Sequence, residues 1–366
     1  MKKHALYQLL TFFLLVQIVF VKFMGYFPTI IERYYSNGIY QVISKVFRGI
    51  FGWIPFSVGD IYYFLIGIFI VISGYRFLKN KDKNRKRQLF KLGAFLSVFY
   101  FLFHFLWGMN YYRNSLFQTF NLSQKEYTLE ELTNLTEQLL SELKHTQLQL
   151  VKNDTVKVSI PYSKNKILAN TQLGYIALAK KYPRYQYRPK SLKKSLFSIP
   201  LTYMGFSGYL NPFSGEAQVD YLVPKISLPM ISSHEVAHQL GIASESEANF
   251  IGFLAATNSD DLYFNYSGYL SALRYSVAAI RFKDSMASKA IVQKIPTGIL
   301  KNIQETEDFW QSYQNKAEPF FKLFYDNYLK ANQQKDGLQS YSNMVNLLVA
   351  YNQQVGIQKT PNTKPK

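Results

Sequence analysis

His234-Glu235-Val236-Ala237-His238 reads H-E-x-x-H, and this run decides how the rest of the chain is read. On a helix, residues four apart project from one face. Two imidazoles at that spacing reach one Zn²⁺, and the glutamate between them points at the metal's open coordination position. Pro229 and the Ser232-Ser233 pair supply a start for the helix. Gly241 supplies its stop, because glycine readily takes the left-handed conformation that ends helices. The motif predicts a zinc hydrolase, most often a peptidase, and the helices and short strands around it predict a mainly helical α+β domain.

A catalytic zinc typically has three protein ligands and a water. The chain has no cysteine, so the ligands must be His and carboxylates, and a disulfide framework or a Cys nucleophile is excluded. His4 and His104 fall at or in apolar segments and His145 on a distant helix, so no third histidine is at hand. Glu245 is the expected third ligand: it opens the next helix, and Asn249 on the same face is placed to hydrogen-bond a ligating imidazole. Glu247 is the alternate ligand; with Ser244 it also makes a capping-box signature for that helix. Glu235 is the expected catalytic base, taking a proton from water and passing it to the leaving amine. For the oxyanion donor, Tyr203, Tyr209, Tyr266, Tyr269 and Tyr275 all stand near the motif, and the sequence does not choose among them. Upstream, Gly215 to Pro224 alternates apolar and polar residues. Read as an edge strand pairing with an extended substrate, it makes Glu216 and Val219 candidate substrate-binding residues; as an ordinary core strand it would bind nothing.

The apolar residues are concentrated in the first third. Three runs, near 6–27, 61–77 and 92–109, are long enough to cross roughly 30 Å of hydrocarbon, and Trp107 closes the third at a membrane interface. The first follows Lys2 and Lys3 and lacks a small-x-small cleavage site, so it reads as a span rather than a signal peptide. Between the first two, Ile43 to Val58 is aromatic but broken by Lys45, Arg48, Gly49, Gly52 and Pro55, which suits an interfacial or re-entrant segment. The net charge of +19 is densest from Arg76 to Lys91, where positive residues hold a loop in the cytoplasm; nucleic acid is not an expected partner. Three crossings from an inside N-terminus then place everything after Asn110 outside. The expected organisation is a membrane region over 1–110, an extracytoplasmic zincin-like domain over 111–356 and a disordered tail over 357–366, in a bacterial cell membrane.

Within the domain, Thr128 and Glu131 form a capping box ahead of a leucine stripe that runs to about Val151. Thr155 to Tyr162 alternates like a strand, Asn165 to Lys181 reads as a helix stopped by Pro183, and a basic loop extends to Ser198. Helical stretches follow near Leu262 to Ile280, Gly298 to Asn315, Pro319 to Ala331 and Ser340 to Gln353.

Glu245-x-x-Ala248-Asn249 resembles the E-x-x-A-D segment of gluzincin metallopeptidases such as the membrane-bound prenyl-protein-processing type. That resemblance implies the glutamate as third ligand and the residue four on as support for a ligand histidine. The H-E-x-x-H-x-x-G turn through Gly241 is similar to that of metzincins, whose third ligand position falls on Ser244. Over nearly its whole length the chain resembles a bacterial membrane family, domain of unknown function 3810. The carrying residues are Gly52-Trp53-Ile54-Pro55-Phe56-Ser57, Trp107-Gly108-Met109-Asn110-Tyr111-Tyr112-Arg113, Asn211-Pro212-Phe213-Ser214-Gly215-Glu216-Ala217, His234 to Phe250, and Gly337-Leu338-Gln339-Ser340-Tyr341. This resemblance implies three N-terminal spans and an H-E-x-x-H domain, and names no substrate. The expected activity is a membrane-anchored, zinc-dependent metallopeptidase acting on a peptide or protein. The competing expectation is a non-catalytic envelope scaffold or binding protein with a structural or degenerate zinc site. Transport is poorly supported, since the apolar segments carry few ionisable residues.

Overall fold

A computed structural model describes residues 2–79, 85–334 and 341–357. The expected disordered tail from 358 on, and the Gly337-Leu338-Gln339-Ser340 run, lie outside the described residues. The three apolar runs form the long helices α1 (Lys2–Met24), α3 (Val58–Lys79) and α4 (Arg85–Leu106). All three are long and apolar enough to cross a membrane. α1 and α4 pack along their length. Thr11 donates to the Phe90 carbonyl at 3.0 Å and Gln17 to Ser97 at 2.9 Å, so higher numbers on one helix meet higher numbers on the other and the two run parallel. Their basic beginnings therefore share one end.

Ahead of the broken segment Ile43 to Val58 lies a π-helical stretch, Ile31–Ile39, which continues into α2 (Tyr40–Phe51), and α2 carries the first part of that segment. α2 buries Tyr40, Ser44 and Arg48, spaced four apart on one face, while Val42, Val46 and Ile50 on the other face stay exposed. Its buried face is held on the domain: the Tyr40 and Ser44 hydroxyls both donate to the Gln239 carbonyl, at 2.9 and 2.7 Å.

The domain's first helix, α5 (Leu129–Val151), forms as its sequence dictates, with the Thr128–Glu131 capping box closed in both directions and Leu132, Leu135, Leu139 and Leu143 buried. α6 (Lys164–Lys181) follows. Between them Val156 to Ile160 forms no strand; the side-chain amide of Asn302 takes a strand partner's place, accepting from Val158 N at 2.9 Å and donating to Val158 O at 3.0 Å. The basic segment expected to be all loop contains a three-residue strand, β1 (Leu192–Lys194). α7 (Ser198–Met204), β2 (Gly208–Leu210) and β3 (Ala217–Val219) come next, then α8 (Leu228–Gln239), α9 (Glu245–Thr257) and α10 (Leu262–Lys283). The chain ends in α11 (Ser285–Gln293), α12 (Thr297–Ser312), α13 (Glu318–Ala331) and α14 (Tyr341–Gln354).

The three strands form one sheet in the order β1-β3-β2, with β1 parallel and β2 antiparallel to β3. One apolar core joins α5, α8, α9, α10 and α14, with Leu139, Val236, Phe250, Tyr269 and Leu348 at its centre. A second, made of Val21, Ile31, Tyr40, Trp107, Tyr111, Tyr112, Ala243 and Leu329, joins the ends of α1 and α4 to the turn after α8. The ends of α1 and α4 are thereby packed against the turn that follows the H-E-x-x-H helix.

Candidate metal centre

α8 begins earlier than its sequence suggested. Ser227 precedes it, Pro229 lies in its first turn, and Ser232 and Ser233 are buried inside it, each donating to the Pro229 carbonyl. It ends as expected. Gly241 adopts φ +87°, and a side-chain carbon there would lie 2.9 Å from the Tyr40 ring, so both conformation and space call for glycine. The turn sends the chain directly back into α9. Glu245, its first residue, thus faces the pair of imidazoles one helix earlier.

The three expected ligands converge. His234 Nε2 and His238 Nε2 are 3.0 Å apart, and the Glu245 oxygens lie 3.2 Å from the first and 3.6 Å from the second. All three donor atoms fall within 4.8 Å of one another, and among the described residues no other His, Cys, Asp or Glu joins the group. Ligands about 2.0–2.1 Å from a tetrahedral ion stand a little over 3 Å apart, so this donor set fits a divalent cation with one position left open. His238 is oriented by its own turn: Nδ1 donates to the Ile242 carbonyl at 2.6 Å, which leaves Nε2 for the centre. Asn249, expected to brace an imidazole, bonds neither, since Ile242 serves His238 and His234 Nδ1 is buried without a partner.

The three groups are strongly coupled electrostatically. Burial would depress the His238 imidazole, but the Glu245 carboxylate beside it outweighs burial and pushes it up to about 9. Burial would raise Glu245, yet His238 and His234 together hold it well below the usual carboxylate range. Glu235 is set apart from both: burial pushes its carboxyl up to about 7 against the pull of the two imidazoles. It is 2% exposed, and its Oε2 is buried with no hydrogen-bond partner. Gly208 of β2 lies against it, where a side-chain carbon would come within 2.5 Å of Glu235 Oε1. The missing side chain lets an outer strand of the sheet approach the carboxylate.

Residues 35–349 match the family described as Protein of unknown function (DUF3810). The chain belongs to this family. No curated protein and no solved structure matches it.

Several candidate residues stand elsewhere in this DUF3810 chain. Glu247 points away from the metal group: its Oε1 accepts from Leu116 N at 2.7 Å, and burial pushes the carboxyl up to about 7. The capping box expected of Ser244 and Glu247 is not made, because the Glu247 carboxylate is engaged at Leu116 instead of returning to the helix start. Glu216 is fully buried rather than at a mouth; it accepts from Gly59 N at 2.6 Å and pairs with Lys193 at 3.2 Å, tying the first turn of α3 to the domain. Val219 is likewise fully buried, and β3 is the central strand, paired on both sides, so neither residue is open to a substrate. The outer strand beside the centre is β2.

Of the five tyrosines singled out, Tyr266 and Tyr269 are in the core, Tyr275 packs against it, and Tyr203 stacks edge-on against Tyr313. Tyr209 lines the cavity, but its hydroxyl is donated to Asp60. Tyr325 of α13 is the tyrosine at the centre, donating to Glu245 Oε1 at 2.7 Å. Burial, reinforced by Glu245, holds its phenol protonated far into the alkaline range. Tyr328 stacks on it, and Tyr111 donates to Tyr328 at 3.4 Å. Trp107, read as a membrane-interface anchor, is instead buried at 6% exposure with its indole nitrogen donating to the His238 carbonyl at 3.2 Å.

Proposed function

We propose that the chain is a membrane-anchored zinc-dependent metallopeptidase whose centre is His234, His238 and Glu245, with Glu235 as the base. The observation that carries this reading is the pairing of a three-ligand group with a buried carboxylate whose Oε2 has no partner. A structural zinc site would use a fourth protein ligand, and among the described residues the group stops at three. A zinc ion held there would acidify a water molecule and polarise a carbonyl. Glu235 would take a proton from the attacking water and deliver it to the leaving nitrogen; the scissile C–N bond breaks, with OH added to the acyl carbon and H to the amine. An extended peptide would lie along β2, which lines the cavity and offers its outer edge. Tyr325 would hold Glu245 in its ligating pose. We further propose that α1, α3 and α4 span the bilayer with the N-terminus in the cytoplasm and the metal domain outside; a C-terminal reporter active only in the cytoplasm would contradict that orientation.

The test uses the full chain in a lipid bilayer, a mixed peptide library and a chelator. Glu235→Gln is expected to bind zinc in the wild-type ratio while cleavage falls by roughly 10³-fold or more, and His234→Ala to lose both. Unchanged cleavage by Glu235→Gln would overturn the assignment. Absence of any chelator-sensitive cleavage across the library would favour the scaffold reading.

A further inference from the structure

The cavity at the metal centre does not end in the domain. Its volume is about 1290 Å³, above the roughly 300–1,000 Å³ usual for a small-molecule pocket, and it runs from His234 and Glu235 to Leu14 and Ile18 on α1 and Leu96 and Phe99 on α4. Leu14 stands eight residues before Lys22, about 12 Å down the helix at 1.5 Å per residue, near the middle of α1. The reactive end is polar, with two imidazoles and two carboxylates; the far end is walled by aliphatic and aromatic side chains. A peptide pushed into that far end would leave backbone N–H and C=O groups without partners, which is costly in an apolar surrounding. An alkyl chain has no such groups.

Resting on the metallopeptidase and membrane-span readings above, we propose that the substrate is a peptide carrying a long alkyl or acyl chain. The chain lies in the part of the cavity that runs alongside the packed α1 and α4, lined by Leu14, Ile18, Leu96 and Phe99 with Tyr63 and Phe213 opposite, and the scissile amide lies at Glu235. The hydrolysis is unchanged: water adds across the C–N bond, and Glu235 moves the proton to the nitrogen. Lys22 stands where the two ends of the cavity meet. Its ammonium donates to the Ala331 carbonyl at 2.6 Å, closing α1 onto α13 and walling the passage on that side.

The test compares short fluorogenic peptides from one mixed-sequence pool, plain or N-palmitoylated, on the full chain in lipid nanodiscs. Palmitoylation is expected to lower KM by roughly tenfold or more, which the burial of two methylenes already supplies. Leu14→Trp, or Leu96→Trp on the facing helix, should erase this preference while turnover of the plain peptide and zinc content stay unchanged. A palmitoyl peptide bearing a diazirine on its chain should crosslink to α1 and α4 in the Glu235→Gln protein, where no cleavage interferes. If both peptides are cut with equal KM and no crosslink reaches α1 or α4, the lipid assignment is overturned and the peptidase reading stands. If nothing is cut but the crosslink maps to α1 and α4 and Leu14→Trp abolishes it, the chain-binding cavity stands and the peptidase reading falls. Equal hydrolysis of a palmitoyl amide lacking any peptide would overturn the peptide half of the proposal.

Discussion

Tyr325 reaches Glu245 from a helix 80 residues further along the chain, and its hydroxyl proton has one use in the structure, the 2.7 Å bond to the carboxylate that faces both imidazoles. Removing it would leave the carboxylate free to turn. Tyr325→Phe is expected to weaken zinc binding by roughly 10- to 100-fold, the usual effect of losing a group that orients a ligand, with thermal stability close to wild type. Competition titration with a fluorescent zinc chelator measures it; wild-type affinity would remove Tyr325 from the centre. The two histidines and Glu245 were legible because they lie on consecutive helices joined by a Gly241 turn, so helical spacing alone nearly places them. Tyr325 was not. Its signal is a Tyr325-x-x-Tyr328 pair on one helix face, and a chain with 29 tyrosines offers many such pairs.

At the scale of elements, the helices were legible and the strands were not, for a common reason. A helix satisfies its own backbone, so periodicity and caps reveal it; a short strand depends on a partner, and any group with a donor and an acceptor serves as one. Val156 to Ile160 alternates correctly for a strand, yet its partner is the Asn302 amide on α12, which also accepts from the Tyr266 hydroxyl at 2.9 Å. Conversely, the Gly215 to Pro224 alternation leaves an edge strand and a core strand equally open, because the basic segment that supplies β1 and makes β3 central carries no strand pattern. The Asn302 arrangement predicts a measurable cost. Asn302→Ala would strand Val158 N, Val158 O and the Tyr266 hydroxyl in a buried place, and should destabilise the protein by at least about 2 kcal/mol, since each buried group left unpaired costs about 1–3 kcal/mol. Denaturant unfolding of the full chain decides it; a change within about 0.5 kcal/mol would mean the segment is held by packing alone.

At the scale of the whole molecule, the apolar N-terminal helices and the part of the chain that carries the candidate metal group are joined through charge as well as through the second apolar core. Arg113, which follows α4, donates to both Glu32 oxygens at 2.6 and 2.7 Å and to the Gly241 carbonyl at 2.7 Å, so one guanidinium ties the segment after α1 to the turn that aims Glu245. Arg184 adds a second contact to Glu32 at 3.2 Å. Burial would raise the Glu32 carboxyl, but Arg113 and Arg184 outweigh it and the net shift is downward. A carboxylate whose folded value is depressed stabilises the fold fully above its ordinary value of 4.5 and loses that contribution as pH falls through the lower folded value. Glu32→Gln leaves Arg113, whose side chain is 3% exposed, without its counter-charge, and should cost on the order of 3 kcal/mol at neutral pH. The gap in Tm between variant and wild type should therefore be wide at pH 7, begin to narrow below about 4.5, and close only once the pH passes the lower folded value, where the wild-type carboxyl is neutral like the amide. Zinc affinity should fall with it, since Gly241 and Glu245 lose their tether to the membrane side. A Tm gap that stays constant through the acid range would mean that Glu32 contributes by shape and hydrogen bonding rather than charge, and that the two regions are coupled by the apolar cluster around Trp107 and Tyr111.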